Sequence, residues 1–359
     1  MLTVPEEAVA PLLGWYGANK RSLPWRDNPT PYRVWISEIM LQQTRVEAVK
    51  PYYRRFMAEL PDVESLAAVD DDRLMKLWEG LGYYSRARNL KTAARLVVDE
   101  YGGVFPHSRG ELLKLPGVGD YTAGAVASIA MNLPEPAVDG NVLRVVSRLT
   151  GSREDIAKPQ TKQAFSDALR KIYPPGRCGD FTQALMELGA TVCLPNGEPM
   201  CLVCPWRGLC VACREGSTDE IPVKAAKKAR SIEEKTVFLL RCGEKAAFRR
   251  RPRAGLLAGM WELPNVEGVL PAAQASAQAA QWGAEPLCAV PAGKAVHVFT
   301  HKEWHMQGFF VRTDELSPKN PGKDAEDWVY VAPEETKDKY PIPSAFAAYA
   351  RYLGMHRGI

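Results

Sequence analysis

Five of the eight cysteines fall between Cys193 and Cys213. Within that stretch Cys193-x7-Cys201-x2-Cys204-x5-Cys210 supplies four thiolates in eighteen residues. The first residues carry Glu6 and Glu7 and no basic stretch, so they do not read as a secretory signal. The expected compartment is the cytoplasm, where such a cluster points to a metal centre and not to disulfides. Zinc accepts four thiolates and so does a cubane iron–sulfur cluster, and spacing alone separates them poorly. Cys213 could substitute for one ligand, while Cys178, Cys242 and Cys288 read as core thiols. A second chemical feature is Leu115-Pro116-Gly117-Val118-Gly119, followed by the small, helix-compatible run Thr122 to Ala130. Glycines at 117 and 119 permit a left-handed backbone and close approach, and a turn that hands free N–H groups to a helix start suits an anion. A third is charge: the net value is only +4, but Lys224 to Arg253 holds eleven Lys/Arg against three Glu. Such a stretch suits either a solvated linker or a phosphate backbone.

The elements that must position these residues divide in two. A chain of 359 residues exceeds one comfortable core. From Ala8 to about Ala190 it reads as short helices joined by Pro/Gly turns, with apolar residues recurring at three and four, as in Leu74, Leu77, Trp78 and Leu81. One helix is expected over Tyr32 to Ala48, with Val34, Trp35, Ile39 and Val46 inward and Glu38 inside it. After Cys213 the periodic face stops, which sets residues 1–213 as a helical domain and 214–235 as a linker. Residues 236–359 then form a small α/β domain, with strands near 236–240, 245–248, 296–299, 308–311 and 328–331 and helices over 272–284 and 344–353. No apolar run is long enough to span a membrane.

Several of these strings together resemble a known family. Lys114 to Ala130 is similar to the helix-hairpin-helix of base-excision DNA glycosylases, in which an aspartate follows some twenty residues later; Asp139, in Val138-Asp139-Gly140-Asn141, stands there. Ser37-Glu38-Ile39-Met40-Leu41-Gln42-Gln43-Thr44 is very similar to the catalytic helix of MutY-type adenine DNA glycosylases. The cysteine quartet resembles the [4Fe-4S] loop of that family and of endonuclease III, although the usual first gap is six residues and here it is seven. The resemblance implies a multidomain chain: an all-α helix-hairpin-helix glycosylase domain with a [4Fe-4S] loop, then a Nudix-like α/β domain. It further implies a monomeric, monofunctional enzyme that removes adenine opposite 8-oxoguanine or guanine in duplex DNA.

By the same resemblance Glu38 is the general acid, Asp139 stabilises the sugar cation, Asn141 orients the acid or the water, and Tyr121 packs on the sugar. Trp25, Arg26 and Gln183 border the adenine, and Gly117 and Gly119 grip a phosphate. Leu81, Tyr83 and Gln43 fill the stack beside the opposite base, and Arg86 and Arg88 hold phosphates. Phe299, Thr300 and His301 read 8-oxoguanine, with Thr300 where the family more often has serine. Cys193, Cys201, Cys204 and Cys210 hold the cluster. An endonuclease III-like lyase is the alternative, but that family has a lysine where this chain has Tyr121, which cannot form an imine. A non-catalytic iron–sulfur DNA-binding protein is a further alternative, against which both carboxylates argue. Ala272 to Gly283 has no acid where a working Nudix hydrolase needs its Mg²⁺ cluster, so the second domain is expected to recognise and not hydrolyse.

Overall fold

The computed structural model describes residues 2–225, 229–252, 255–316, 328–337 and 339–353. Of the basic stretch, Lys227, Lys228 and Arg253 lie outside them. By spatial contacts the chain divides into one unit of Met1–Ala68 with Asn89–Ala226 and another of Val69–Arg88 with Lys227–Ile359.

The first unit is helical. It contains α1 (Val9–Asn19), α2 (Pro31–Leu41), α3 (Val46–Glu59) and α4 (Val63–Ala68). The chain then runs through α5 (Asp71–Trp78), which belongs to the second unit, and α6 (Ser85–Tyr101), which begins there. After α7 (Arg109–Leu112) comes α8 (Asp120–Ala125), which passes into a π-helical turn at Val126–Ala130, followed by α9 (Gly140–Thr150), α10 (Pro159–Arg170), α11 (Cys178–Thr191) and α12 (Val211–Glu215). Local signals explain the starts: Thr30 caps α2 through Arg33 N with Pro31 in the first turn, and Asp70 caps α5 through the N–H groups of Asp72 and Arg73. The core packs Leu12 and Tyr16 of α1 against Val142 and Leu149 of α9 and Phe181, Leu185 and Leu188 of α11, while Trp206 from the cysteine loop donates to Ala8 O at 2.8 Å.

The helix expected over Tyr32 to Ala48 is two helices, α2 and α3, separated at Gln42–Arg45. Gln43 adopts a left-handed φ of 60° and Val46 is only half-buried. Apolar spacing carries straight across so short a break, which is why the sequence reads as continuous.

The second unit is a mixed sheet of β1 (Ser231–Cys242), β2 (Lys245–Arg250), β3 (Trp261–Glu262), β4 (Asn265–Glu267), β5 (Ala284–Val298), β6 (Lys302–Leu316) and β7 (Trp328–Val331), with α13 (Ala272–Gln281) between β4 and β5 and α14 (Ala347–Ala350) near the end. The order is β3-β2-β1-β6-β5, with β4 on β1 and β7 on β2; β1 and β6 run parallel and the other pairs antiparallel. Alternate residues of β1 serve opposite layers. Val237 and Leu239 pack with Phe346 and Tyr349, whereas Phe238 and Leu240 pack with Ala275 and Ala279 of α13.

Strand β5 starts twelve residues before the strand expected at 296, because register shifts near Pro286, Cys288 and Pro291–Gly293 break the alternation that marks a strand. The tail over 344–353 is two 3₁₀ turns flanking α14 instead of one helix. Cys288 is exposed and Cys242 half-buried, so of the three expected core thiols only Cys178 is buried. The expected linker overlaps the end of α12 and the first residues of β1. Val69–Arg88, which the sequence groups with the helical domain, makes its polar contacts with the C-terminal residues. Lys76 Nζ donates to Thr336 O at 2.8 Å, Arg250 Nη2 to Asp72 Oδ1 at 2.8 Å, Arg88 Nη1 to Ala258 O at 2.7 Å, and Ile342 N to Glu79 Oε1 at 3.0 Å.

Candidate active site

A cavity of about 480 Å³ opens between α2, α8 and α11, and its walls include Glu38, Tyr121, Asp139, Asn141, Gln183, Trp25 and Arg26. Five segments separated in sequence therefore meet in one place. Gln43 also reaches this wall, though it is exposed.

Glu38 projects from the buried face of α2 and is 5% exposed. Burial pushes its carboxyl up to about 7, against a hydrogen bond from Tyr121 that lowers it; the nearby Asp139 raises it further and Arg26 lowers it. Tyr121 Oη donates to Glu38 Oε2. Burial and the two carboxylates push the phenol well above its ordinary range, so it remains a donor.

Asp139 is the N-cap of α9, where its Oδ1 accepts from Val142 N at 2.7 Å and its Oδ2 from Asn141 Nδ2 at 2.8 Å. Burial is the larger influence and leaves this acid above its ordinary range, while those bonds, the Asn141 N–H and the charge of Arg144 pull back toward the anion. Arg144 Nη2 donates to Asn141 Oδ1 at 2.9 Å and to Gly189 O at 2.8 Å, so Asn141 can only offer its amide nitrogen to Asp139. A Cβ on Gly189 would stand 2.6 Å from that of Asn141, which is why α11 carries glycine where α9 begins.

A second polar group closes the far wall. Glu187, with a side chain 1% exposed, accepts from Arg21 N, Nε and Nη2 and from Arg26 Nη2 at 2.7–3.0 Å. Burial would raise it, but these bonds outweigh burial and bring it down to about 2. Arg26 Nε then donates to Gln183 Oε1 at 3.0 Å. Since arginine has only donors, the amide of Gln183 must turn its oxygen to Arg26 and its nitrogen elsewhere. Sequence reading missed Glu187, Arg21 and Arg144. The signal available was an acid in the otherwise apolar run Ala184-Leu185-Met186-Glu187-Leu188, four residues after Gln183.

The hairpin turn has Gly117 at φ 78°, where a Cβ would meet the Asn89 side chain at 2.7 Å. Gly119 differs from expectation: its φ is −99°, and it is the N-cap of α8 with open space around it. Trp25 is buried edge-on against Tyr53.

The remaining expected DNA contacts lie in the second unit. Tyr83 is exposed, has a left-handed φ of 49°, and hydrogen-bonds through its hydroxyl to Thr300 Oγ1. Thr300 and His301 are exposed in the turn between β5 and β6, anchored by Phe299 stacked edge-on to Trp304. Leu81 and Arg86 depart from expectation, since both are buried. Arg86 Nη2 donates to Leu81 O and Gly82 O at 3.0 and 3.1 Å, and its guanidinium lies over Trp78 and Tyr83. It holds the loop's shape. Arg88 spends one guanidinium nitrogen on Ala258 O.

Cys193, Cys201, Cys204, Cys210 and Cys213 line one small cavity of about 20 Å³. Burial and the neighbouring thiols push Cys201 up to about 11, and burial pushes Cys204 to about 12 and Cys210 upward. Thiols so arranged cannot all ionise without added positive charge, so the donor set fits a cationic metal centre. Arg148 Nη1, 3.3 Å from Cys193 Sγ, supplies part of that charge. Among the described residues no three His, Cys, Asp or Glu side chains close on a point suited to a single metal ion.

Residues 36–171 match the family model of the HhH-GPD superfamily base excision DNA repair proteins, and residues 236–352 match that of the NUDIX domain. The helical unit is thus of the base-excision-repair class, followed by a NUDIX-type domain. The adenine DNA glycosylase of Rattus norvegicus is 35% identical over 89% of this chain and 73% of its own length. That of Homo sapiens is 33% identical over 97% and 73%. The chain belongs to the adenine DNA glycosylase family. Solved structures agree on the helical part: a thermostable thymine-DNA glycosylase (31% identity, TM-score 0.53, 58% of this chain and 95% of the other) and a non-covalent endonuclease III–DNA complex (25%, 0.50, 60% and 99%) are similar to it.

Proposed function

We propose that this chain hydrolyses the N-glycosidic bond of adenine paired with 8-oxoguanine or guanine in duplex DNA, as a monofunctional glycosylase. The observation that carries the reading is that Glu38 and Asp139 line one cavity, Glu38 accepting from the Tyr121 hydroxyl and Asp139 from Val142 N and Asn141 Nδ2 at the start of α9. Breaking a glycosidic bond needs an acid at the leaving group and an anion at the oxocarbenium-like sugar. Two like charges in one cavity oppose each other, so a proton on Glu38 favours the anion at Asp139.

The chemistry follows from the donors. Tyr121 Oη donates a hydrogen bond to Glu38 Oε2, so the acid's own proton sits on Oε1 and is the one available to the base. Adenine everted into the cavity, at a cost of a few kcal/mol, accepts that proton at N7 and leaves as a neutral base. Asp139, whose anion the α9 N-terminus and Asn141 favour, stabilises the cation at C1′ until water adds and passes its proton to the Glu38 carboxylate left by the first step. Gln183, with its oxygen fixed by Arg26 and one amide hydrogen on Gly179 O at 3.4 Å, keeps its second amide hydrogen for a ring acceptor of the base. Thr300 and Tyr83 read the opposite base from the second unit. In the cysteine loop, Cys193, Cys201, Cys204 and Cys210 hold a [4Fe-4S] cluster, which when bound braces the segment.

The test is excision from duplexes carrying adenine opposite 8-oxoguanine, guanine or thymine, with an alkali-free check for nicking. Fast release opposite 8-oxoguanine without strand cleavage is expected. Efficient borohydride trapping on DNA would instead indicate a lyase.

A further inference from the structure

We propose that Glu233 is a positioning residue for the turn that carries Thr300, and that through this turn it sets how strongly the chain prefers 8-oxoguanine over guanine. The inference rests on the reading of Thr300 given above. Strands β1 and β6 run parallel, with Ser231 opposite Lys302 and Glu233 opposite Trp304. Alternation therefore places Ser231 and Glu233 on the layer that holds Trp304. Three ties run from β1 to the turn and its first strand residues. Ser231 N donates to His301 O at 3.2 Å. Lys302 Nζ donates to Glu233 Oε1, and Trp304 Nε1 donates to Glu233 Oε2 at 2.8 Å. The bond from Lys302 holds the Glu233 carboxyl below its ordinary range, so it is an anion with both oxygens free to accept.

Of the two bonds that Glu233 accepts, the one from Trp304 matters more to Thr300. The indole is 1% exposed, and without its acceptor the N–H would be left buried and unmatched. Two cations of the basic stretch turn inward to the same ring: Lys235 Nζ lies 4.8 Å and the Arg251 guanidinium 5.5 Å from its centroid. An anion thus fixes the edge of the ring while cations hold its face. Phe299 packs edge-on upon that ring with centroids 4.9 Å apart, and Phe299 N closes the turn on Lys302 O at 2.8 Å. The next residue is Thr300, exposed at the tip. A hydroxyl that must meet one base is sensitive to a displacement of about 1 Å. Lys302, a third exposed, contributes less, because an ion pair so open to water is weakly coupled to the turn.

The test is single-turnover excision by the full chain from duplexes carrying adenine opposite 8-oxoguanine and opposite guanine, read as the ratio of the two rates. Glu233→Ala should lower that ratio roughly tenfold, the size expected for one unmatched buried donor. It should slow release opposite 8-oxoguanine far more than opposite guanine. In a chain already carrying Thr300→Val, the same substitution should leave the ratio where Thr300→Val put it, since Glu233 acts through that hydroxyl. Glu233→Gln keeps an acceptor for the indole and should retain most of the ratio. Lys302→Met leaves the Trp304 bond in place and should stay within about threefold of wild type. An equal slowing of both duplexes by Glu233→Ala overturns the inference, as does a further loss of equal size in the Thr300→Val chain. Should Glu233→Ala not fold, Trp304→Phe deletes the donor and keeps a ring for Phe299; it should lower the ratio too, and discrimination like wild type there overturns the inference. If Thr300→Val alone discriminates like wild type, the reading of Thr300 falls, and this inference with it.

Discussion

Replacing Glu38 by glutamine should make the folded chain more stable above neutral pH while abolishing its chemistry. Glutamine preserves the shape of the side chain and an acceptor for the Tyr121 hydroxyl, but cannot ionise. Wild-type Glu38 stands at about 7, against an ordinary 4.5. Its extra proton therefore favours the folded state fully below the ordinary value, and that contribution is lost as pH rises through about 7. The gap corresponds to roughly 3 kcal/mol at about 1.4 kcal/mol per pH unit. Because the group is buried, solvent screening reduces this figure little.

The assay is thermal or urea unfolding of both proteins across a pH series at matched heating rate. Titrations common to both cancel in the difference. Glu38→Gln minus wild type should be flat below about pH 4.5, rise by up to about 3 kcal/mol toward pH 7, and flatten beyond. The variant should still bind substrate DNA and excise adenine at least 100-fold more slowly, in line with the loss of a general acid. A stability difference independent of pH would show that Glu38 ionises as an ordinary carboxylate, and the assignment of the acid would fall with it.

Tyr121→Phe removes the hydrogen bond that favours the Glu38 anion, so the pKa governing loss of excision at high pH should move upward from about 7; an unchanged pH profile would refute that role. Glu187→Gln leaves Arg21 and Arg26 without their shared charge. It should cost roughly 1–3 kcal/mol in stability and slow excision through misplacement of Gln183, read as a kcat loss in single-turnover kinetics. Gly189→Ala forces a methyl against Asn141 and should destabilise the chain by about 1–3 kcal/mol, with slower excision and intact DNA affinity. Thr300→Val and Tyr83→Phe should each weaken the preference for 8-oxoguanine over guanine, and the double variant should lose less than the sum of the two; strict additivity would show the pair act separately.

The site was legible in the sequence where residue type alone fixes the chemistry. Glu38, Asp139, Tyr121, Asn141, Gln183, Trp25 and Arg26 do share one cavity. The family resemblance, not periodicity, brought them together in advance, since no local pattern links positions a hundred residues apart. What periodicity missed were breaks and burial. Gln43 places a single left-handed residue in the break after α2, and Leu81 and Arg86 look like exposed loop chemistry until Trp78 and the loop carbonyls are seen to enclose them. Glu187 was passed over because a buried acid is uncommon, and only its two arginines explain it.

The Tyr83–Thr300 bond also decides how the second unit should be tested. Deleting the residues after about 225 is the obvious way to ask whether the C-terminal part discriminates 8-oxoguanine. Yet Val69–Arg88 belongs to that unit, and its Asp72, Lys76, Glu79 and Arg88 each lose a partner when the C-terminal residues are removed. Tyr83 loses its hydroxyl partner in the same step. A truncated chain would therefore excise poorly through two causes at once, the loss of the Thr300 turn and the loss of support for the loop at Leu81–Arg88. Thr300→Val separates them, because it leaves the Arg250–Asp72 and Arg88–Ala258 contacts in place while removing the one hydroxyl. If that variant discriminates like wild type while the deletion does not, the role of the C-terminal residues is to support the loop that carries Leu81 and Tyr83 and not to read the base.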